Sequence, residues 1–285
     1  MASVGSGALP NLIVIGAAKS GTTSLSHYLN LHPQVAMTRE KELHFFSKPE
    51  VWGRGVEWYA AQFDRGTTLR GEASVTYSSQ QRYPWVPSRM AALVPDARLL
   101  YIVREPIRRI VSAWGHRYSD GKENRSLDEA LESLEGNALV ERSLYATQLE
   151  HYLPHYPMRS IHVISSEALR SARPDTMAEV YAFLELEPFD SPRFDEVRNE
   201  SRFKRRKGRI ARLLQRMGEA APARLFDPDT RRRVGRWLYG PFTRPFEPGT
   251  MSPETHGRLR ELLAPEVSRL RTLTGHDFNE WTEWP

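Results

Sequence analysis

The strongest constraint on this chain is a junction between two periodicities. Asn11 to Gly16, NLIVIG, is a short apolar run closed by glycine. Thr22 to Pro33, TTSLSHYLNLHP, carries apolar residues at helical spacing and stops at its proline. A run that is apolar at every position suits a strand buried on both faces, and hence a parallel sheet covered by helices. The junction between them, Ala17 to Gly21, is then a tight strand-to-helix turn. The same alternation recurs downstream. Ala97 to Val103, ARLLYIV, is the strongest strand signal and is followed by a helix opened by Pro106. IHVISSE is another buried strand, and DTMAEVYAFLEL the helix after it. EWYAAQFD, RYPWVPSRMAALVP, SLDEALESL and SLYATQLEHYLPHY read as further helices. Alternating strands and helices predict an α/β fold, a parallel β-sheet flanked by helices.

Beyond Val197 the chain changes character. VRNESRFKRRKGRIARLL is strongly basic, and a long amphipathic helix follows, capped by Ser252 and opened by Pro253. No repeat, low-complexity tract or linker divides the chain. We therefore expect one domain over 1–285, with an α/β core at 11–190 and a basic loop and C-terminal helices at 197–285.

Composition narrows the chemistry. The chain has no cysteine among its 285 residues, which excludes disulfides, thiolate metal sites and cysteine nucleophiles and fits a reducing cytoplasm. The apolar run near the N-terminus is too short for a signal peptide or a spanning helix. A net charge of +5 fits anionic ligands, nucleic acid included, and equally an arginine-rich coding bias.

The turn itself resembles a phosphate-binding loop with its lysine displaced. A Walker A loop reads G-x-x-x-x-G-K-[ST]. Gly16 and Gly21 keep that spacing, but Thr22 stands where the lysine belongs, and Lys19 lies inside the loop. Backbone N–H groups at such a turn bind anions, helped by the dipole of the helix that begins there. Thr22, Thr23 and Ser24 supply further hydroxyl donors, and Lys19 a point charge. A metal-dependent nucleotide enzyme of this architecture ends a neighbouring strand in aspartate. ARLLYIV ends instead in Arg104, and Ser112 follows eight residues later on the next helix. A guanidinium fork with a hydroxyl suits a second phosphate rather than a metal. Together the two elements describe a ligand with two anionic ends.

These residues resemble a known family. AAKSGTTSL, VREPIRRIVSAW and RSLYATQLEHYL are similar to segments of the sulfotransferases that use 3′-phosphoadenosine 5′-phosphosulfate (PAPS), and Glu42 to Phe46, ELHFF, resembles their glycan branch, which includes the heparan sulfate enzymes. The likeness runs from about Asn11 to Leu186. It implies a P-loop-kinase-like sulfotransferase fold without a metal, and a soluble, bacterial member. It implies that Lys19 to Ser24 hold the 5′-phosphosulfate, that Arg104 and Ser112 hold the 3′-phosphate, and that Tyr145 lies near the nucleotide. Lys207, Gly208 and Arg209 are candidates for a basic loop at the 3′-phosphate. Glu42 becomes the general base. His44 orients that base, contacts the acceptor, or is the base itself.

The likeness has departures. The 3-O-sulfating heparan enzymes carry a lysine in the segment matching GEASVTY, where this chain has Glu72 and Ala73. The acceptor stays open between a sugar, a glycolipid and a small natural product. Two other readings remain: a nucleotide kinase with an atypical loop, and a nucleic-acid-binding module built on the basic tract.

Overall fold

The computed structural model describes residues 8–64, 66–195, 205–207, 243–245 and 250–284. The chain begins with β1 (Leu12–Gly16), α1 (Thr22–Leu29), β2 (Val35–Met37), α2 (Pro49–Trp52), α3 (Gly55–Ala60) and β3 (Leu69–Ala73). It continues through α4 (Val86–Leu93), β4 (Arg98–Val103), α5 (Pro106–Ser119), α6 (Leu127–Ala130), α7 (Ala138–Glu141), α8 (Tyr145–Glu150) and β5 (Ile161–Ser165). Then come α9 (Ser166–Ser171), α10 (Arg173–Phe183), β6 (Arg205–Lys207), β7 (Thr243–Pro245) and α11 (Pro253–Thr274).

The first five strands form one parallel sheet in the order β2-β3-β1-β4-β5, so the predicted α/β class is the observed one. Alternate side chains of each central strand enter different cores, as the strand's period of two requires. Ile13 and Ile15 of β1, with Tyr101 and Val103 of β4, pack with α4, α5, α8 and α11. Leu12 and Val14, with Leu100 and Ile102, pack with α1, α9 and α10. Both faces of the sheet are therefore covered.

Two strands escaped the pattern reading. β2 has only three residues, and β3 reads LRGEA, with two charged side chains and a glycine. β3 is nevertheless buried at its glutamate. Glu72 is 0% exposed and accepts hydrogen bonds from the Tyr77 hydroxyl at 2.8 Å and the Ser74 hydroxyl at 2.9 Å, with Tyr59 as its third donor. Burial pushes its carboxyl above the usual carboxylate range. Gly71 lets the Met37 side chain of β2 lie close against β3: a Cβ there would stand 2.4 Å from the Met37 sulfur. The helix expected over SLDEALESL stops after Ala130, although its capping box of Ser126 and Glu129 is intact. Part of the expected basic loop is extended backbone: β6 pairs antiparallel with β7.

The C-terminal segment is woven into the core. Ser252 caps α11 by accepting from the Thr255 N–H, and Gly275 ends it at φ 69°. Leu259, Leu263, Val267 and Leu270 of α11 are buried in the same cluster as β1 and β4, together with Phe278, Trp281 and Trp284. Trp281 Nε1 donates to Glu167 Oε2 at 3.2 Å, and Trp284 Nε1 to Glu105 Oε1 at 2.8 Å. The chain end thus fixes two carboxylates beside Arg104. Among the described residues no helix is long and apolar enough to cross a membrane.

Candidate active site

Chain order changes direction at β1: the chain builds β2 and β3 on one side of it and β4 and β5 on the other. Ligands of open parallel sheets bind beyond the carboxyl ends of the strands at such a point. A cavity of about 990 Å³ opens there. Its walls come from the β1–α1 turn, one face of α5, the start of α9 and α10, and the segment after β2.

The turn is built for close approach. Gly16 sits at φ 153°, and a Cβ on it would lie 1.9 Å from the Ser78 hydroxyl oxygen. Gly21 precedes α1 at φ 101°. Lys19 sits at φ 73°, in the left-handed region that costs a side-chain-bearing residue about 1–3 kcal/mol. Lys19, Gly21, Thr22, Thr23 and Ser24 all line the cavity. Ser20 does not: it is fully buried, and its N–H donates to the Ala17 carbonyl at 3.2 Å.

Arg104 and Ser112 line the same cavity. Arg104 Nη1 donates to the Lys19 carbonyl at 3.5 Å, and Glu167 lies 3.9 Å from its Nε. Tyr145 stands behind this wall rather than in it. It is 1% exposed, and its hydroxyl donates to the Arg104 carbonyl at 2.9 Å. Lys207 is described only as backbone in β6, and Gly208 and Arg209 lie outside the described residues.

Glu42 also borders the cavity, and His44 lies directly behind it. Their segment runs alongside the end of β3: Glu42 N–H donates to the Ala73 carbonyl at 3.0 Å and His44 N–H to the Ser74 hydroxyl at 3.1 Å. Ser74 is also a donor to buried Glu72, so the β3 carboxylate steadies this loop from beneath. His44 Nε2 lies 3.5 Å from Glu42 Oε2, and its Nδ1 is 2.9 Å from the Thr76 hydroxyl. Burial and the charge of Lys48 hold the His44 imidazole below its ordinary value, so the ring is neutral at pH 7. Five non-glycine residues among those described adopt positive φ, and three of them are Lys19, Glu42 and His44. Strain of this kind gathers at functional sites, and no sequence pattern discloses it.

Sequence reasoning missed several cations of the cavity. Lys41, beside Glu42, donates to the Thr22 and Thr23 hydroxyls at 3.1 and 3.0 Å. Arg109 is fully buried, with Nε donating to the Ser143 hydroxyl at 2.5 Å and Nη2 to the Leu139 carbonyl. Its Nη1 has no hydrogen-bond partner. Burial pulls its guanidinium down to about 10. Arg170 and Arg173 also line the cavity, with Arg173 over the Tyr28 ring of α1. Arg109 had a signal, five residues after Arg104 in the same segment, whereas Arg170 and Arg173 had none.

A parallel sheet with a glycine turn, a cation-lined cavity at its switch point and a carboxylate at the edge defines an α/β protein that binds a polyanionic ligand. The chain belongs to the sulfotransferase domain family, whose model matches residues 9–226. Human heparan sulfate glucosamine 3-O-sulfotransferase 5 is 33% identical over 194 residues, covering 63% of this chain and 54% of that protein. The bifunctional heparan sulfate N-deacetylase/N-sulfotransferase 1 of Caenorhabditis briggsae is 31% identical over 202 residues, covering 64% of this chain and 23% of that protein. The chain therefore matches about half of the first relative and a quarter of the second. A sulfotransferase crystal structure from Alicyclobacillus acidocaldarius superposes with a TM-score of 0.67 at 27% identity, covering 96% of this chain and 99% of that one.

Proposed function

We propose that this protein transfers a sulfuryl group from PAPS to an acceptor hydroxyl, as a single catalytic unit that includes the C-terminal helix. The observation that carries this reading is that one cavity is bordered by the Lys19 turn, by Arg104 with Ser112, and by Glu42. The residues suit the nucleotide. Arg109 is a buried cation without a carboxylate partner among the described residues, and its unpartnered Nη1 suits an anion. An uncompensated buried charge is costly, so a bound anion there offsets an existing penalty.

The nucleotide supplies an activated sulfuryl group. The turn N–H groups, with the Thr22, Thr23 and Ser24 hydroxyls, hold the 5′ end, and Arg104, Ser112 and Arg109 the 3′-phosphate. Lys19 stabilises the charge that builds on the leaving phosphate oxygen, as a preorganised donor. Glu42 takes the acceptor proton, and His44 orients Glu42. The acceptor is a glycan or a small molecule bearing a hydroxyl, in keeping with the glycan-acting relatives. The cysteine-free chain suits a reducing, cytoplasmic setting, and its arginine bias a bacterial one.

Calorimetry tests this with adenosine 3′,5′-bisphosphate (PAP), ATP and an oligonucleotide, each with and without EDTA. PAP binds, and EDTA leaves that binding unchanged. Arg104→Ala weakens PAP by about 1.5–3 kcal/mol, the worth of a hydrogen bond to a charged group, and barely changes a ligand without the 3′-phosphate. ATP binding that needs Mg²⁺, without PAP binding, would overturn the reading in favour of a kinase. Salt-sensitive oligonucleotide binding alone would favour a nucleic-acid module.

A further inference from the structure

Lys41 connects two parts of the cavity that the sequence presents separately. It is one residue before Glu42 and about twenty residues after the anion turn. Its ammonium has three oxygen partners: the Thr22 hydroxyl at 3.1 Å, the Thr23 hydroxyl at 3.0 Å and Glu42 Oε1 at 3.4 Å. An ammonium has three protons to donate, so this set satisfies it fully. Glu42 continues the chain on its other side, with Oε2 at 3.5 Å from His44 Nε2. His44 Nδ1 meets the Thr76 hydroxyl at 2.9 Å, and Thr76 meets the Ser47 hydroxyl at 2.8 Å. One polar network therefore runs from the turn through Lys41, Glu42 and His44 to Ser47.

The carboxylate needs such an anchor. Glu42 leaves a backbone at φ 68°, and its side chain is 30% exposed. Without a partner it would sample several rotamers. Lys41 is 28% exposed, and burial lowers its ammonium from the usual range. An exposed surface lysine would not tolerate that desolvation without compensating contacts. The bonds to Thr22 and Thr23 also determine where the carboxylate sits relative to the turn.

We propose that Lys41 is a positioning residue that ties the Glu42–His44 pair to the anion turn, holding the carboxylate in register with the group bound there. The inference rests on the sulfuryl-transfer reading, within which it assigns a role to a residue that neither the motifs nor the family likeness singles out. Charged groups facing the pair are Lys41, Lys48 and Glu40, all from its own segment.

The test uses the full chain and labelled PAPS with water as acceptor. In that step a water proton passes to Glu42, the water oxygen bonds to sulfur, and the bridging S–O bond breaks with its electron pair on PAP. Lys41→Met should lower turnover by about ten- to a hundredfold, the scale of a misplaced catalytic group, while PAP affinity changes less than about threefold. Lys41→Arg, which keeps charge and reach, should restore part of the turnover. Parent-like turnover in Lys41→Met overturns the proposal, since methionine fills the place of a lysine that merely packs; so does a Lys41→Arg protein no more active than Lys41→Met. A Lys41→Met protein that loses PAP affinity instead of turnover overturns it too, and makes Lys41 an anion ligand. If the parent protein neither binds PAP nor consumes PAPS, the sulfuryl-transfer reading itself fails; if it does both, only the role of Lys41 is in question.

Discussion

Glu42 and His44 stand 3.5 Å apart at the cavity edge, yet they are not equivalent. His44 is held neutral by burial and neighbouring cations, and its Nδ1 faces the Thr76 hydroxyl. Both ring nitrogens are thereby engaged, one by Thr76 and one by Glu42. That arrangement orients a carboxylate better than it deprotonates an acceptor. Glu42→Gln keeps the shape and removes the basicity. It should lower turnover by about a hundred- to ten-thousandfold with PAP affinity nearly unchanged, read by steady-state rates and calorimetry. His44→Asn should be the milder lesion. The opposite ranking would make His44 the base.

At the scale of an element, the β1–α1 turn is the part most intolerant of change. Its first glycine lies against Ser78, whose N–H donates to the Ile15 carbonyl at 2.9 Å and is therefore fixed. Gly16→Ala puts a methyl 1.9 Å from the Ser78 hydroxyl oxygen. Either the turn or the 74–79 loop must move, and both border the cavity. Overpacking and backbone strain together should cost about 2–4 kcal/mol in chemical denaturation. Ser78→Gly in the same chain should recover the steric part and leave the conformational part. Full stability in Gly16→Ala would mean that the turn is looser than its packing implies.

At the scale of the whole molecule, histidines set a limit on acid stability. His162 of β5 stacks on Phe183 of α10, with ring centroids 5.1 Å apart. Burial, then the neighbouring His276, hold its imidazole down to about 4 from an ordinary 6.5. The folded value is depressed, so the unfolded chain takes up a proton first as the pH falls. The contribution is complete above 6.5 and is lost on going down toward 4. Between pH 7 and pH 5 the protein should lose about 1–2 kcal/mol through this group. Urea denaturation at both values should show His162→Gln losing correspondingly less. An equal loss in both proteins would place the acid sensitivity elsewhere.

Much of this molecule is legible from the chain by itself. NLIVIG, ARLLYIV and the IHVIS of IHVISSE are strands because short runs dominated by apolar side chains are buried between two layers of helices. That fixes the parallel class, and the glycine spacing after β1 marks the anion turn. Lys19, Arg104, Ser112 and Glu42 were legible through their motifs, and the cavity does border all four. What depends on side chains distant in sequence was not legible. β3 looked like no strand because burial of Glu72 depends on Tyr59, which arrives from α3, as well as on Ser74 and Tyr77 of the loop that follows β3. Ser20 and Tyr145 read like ligands, but the direction of a side chain from a turn or a helix is set by packing, and both point into the interior. Lys41 looked like one charge in a charged run, TREKELHFF, until folding brought it against Thr22 and Thr23. Local pattern therefore determined the layers and the turn, because periodicity and glycine geometry act over a few residues. Only tertiary structure decided which polar groups meet, because a hydrogen bond forms between atoms about 3 Å apart in space, regardless of their separation along the chain.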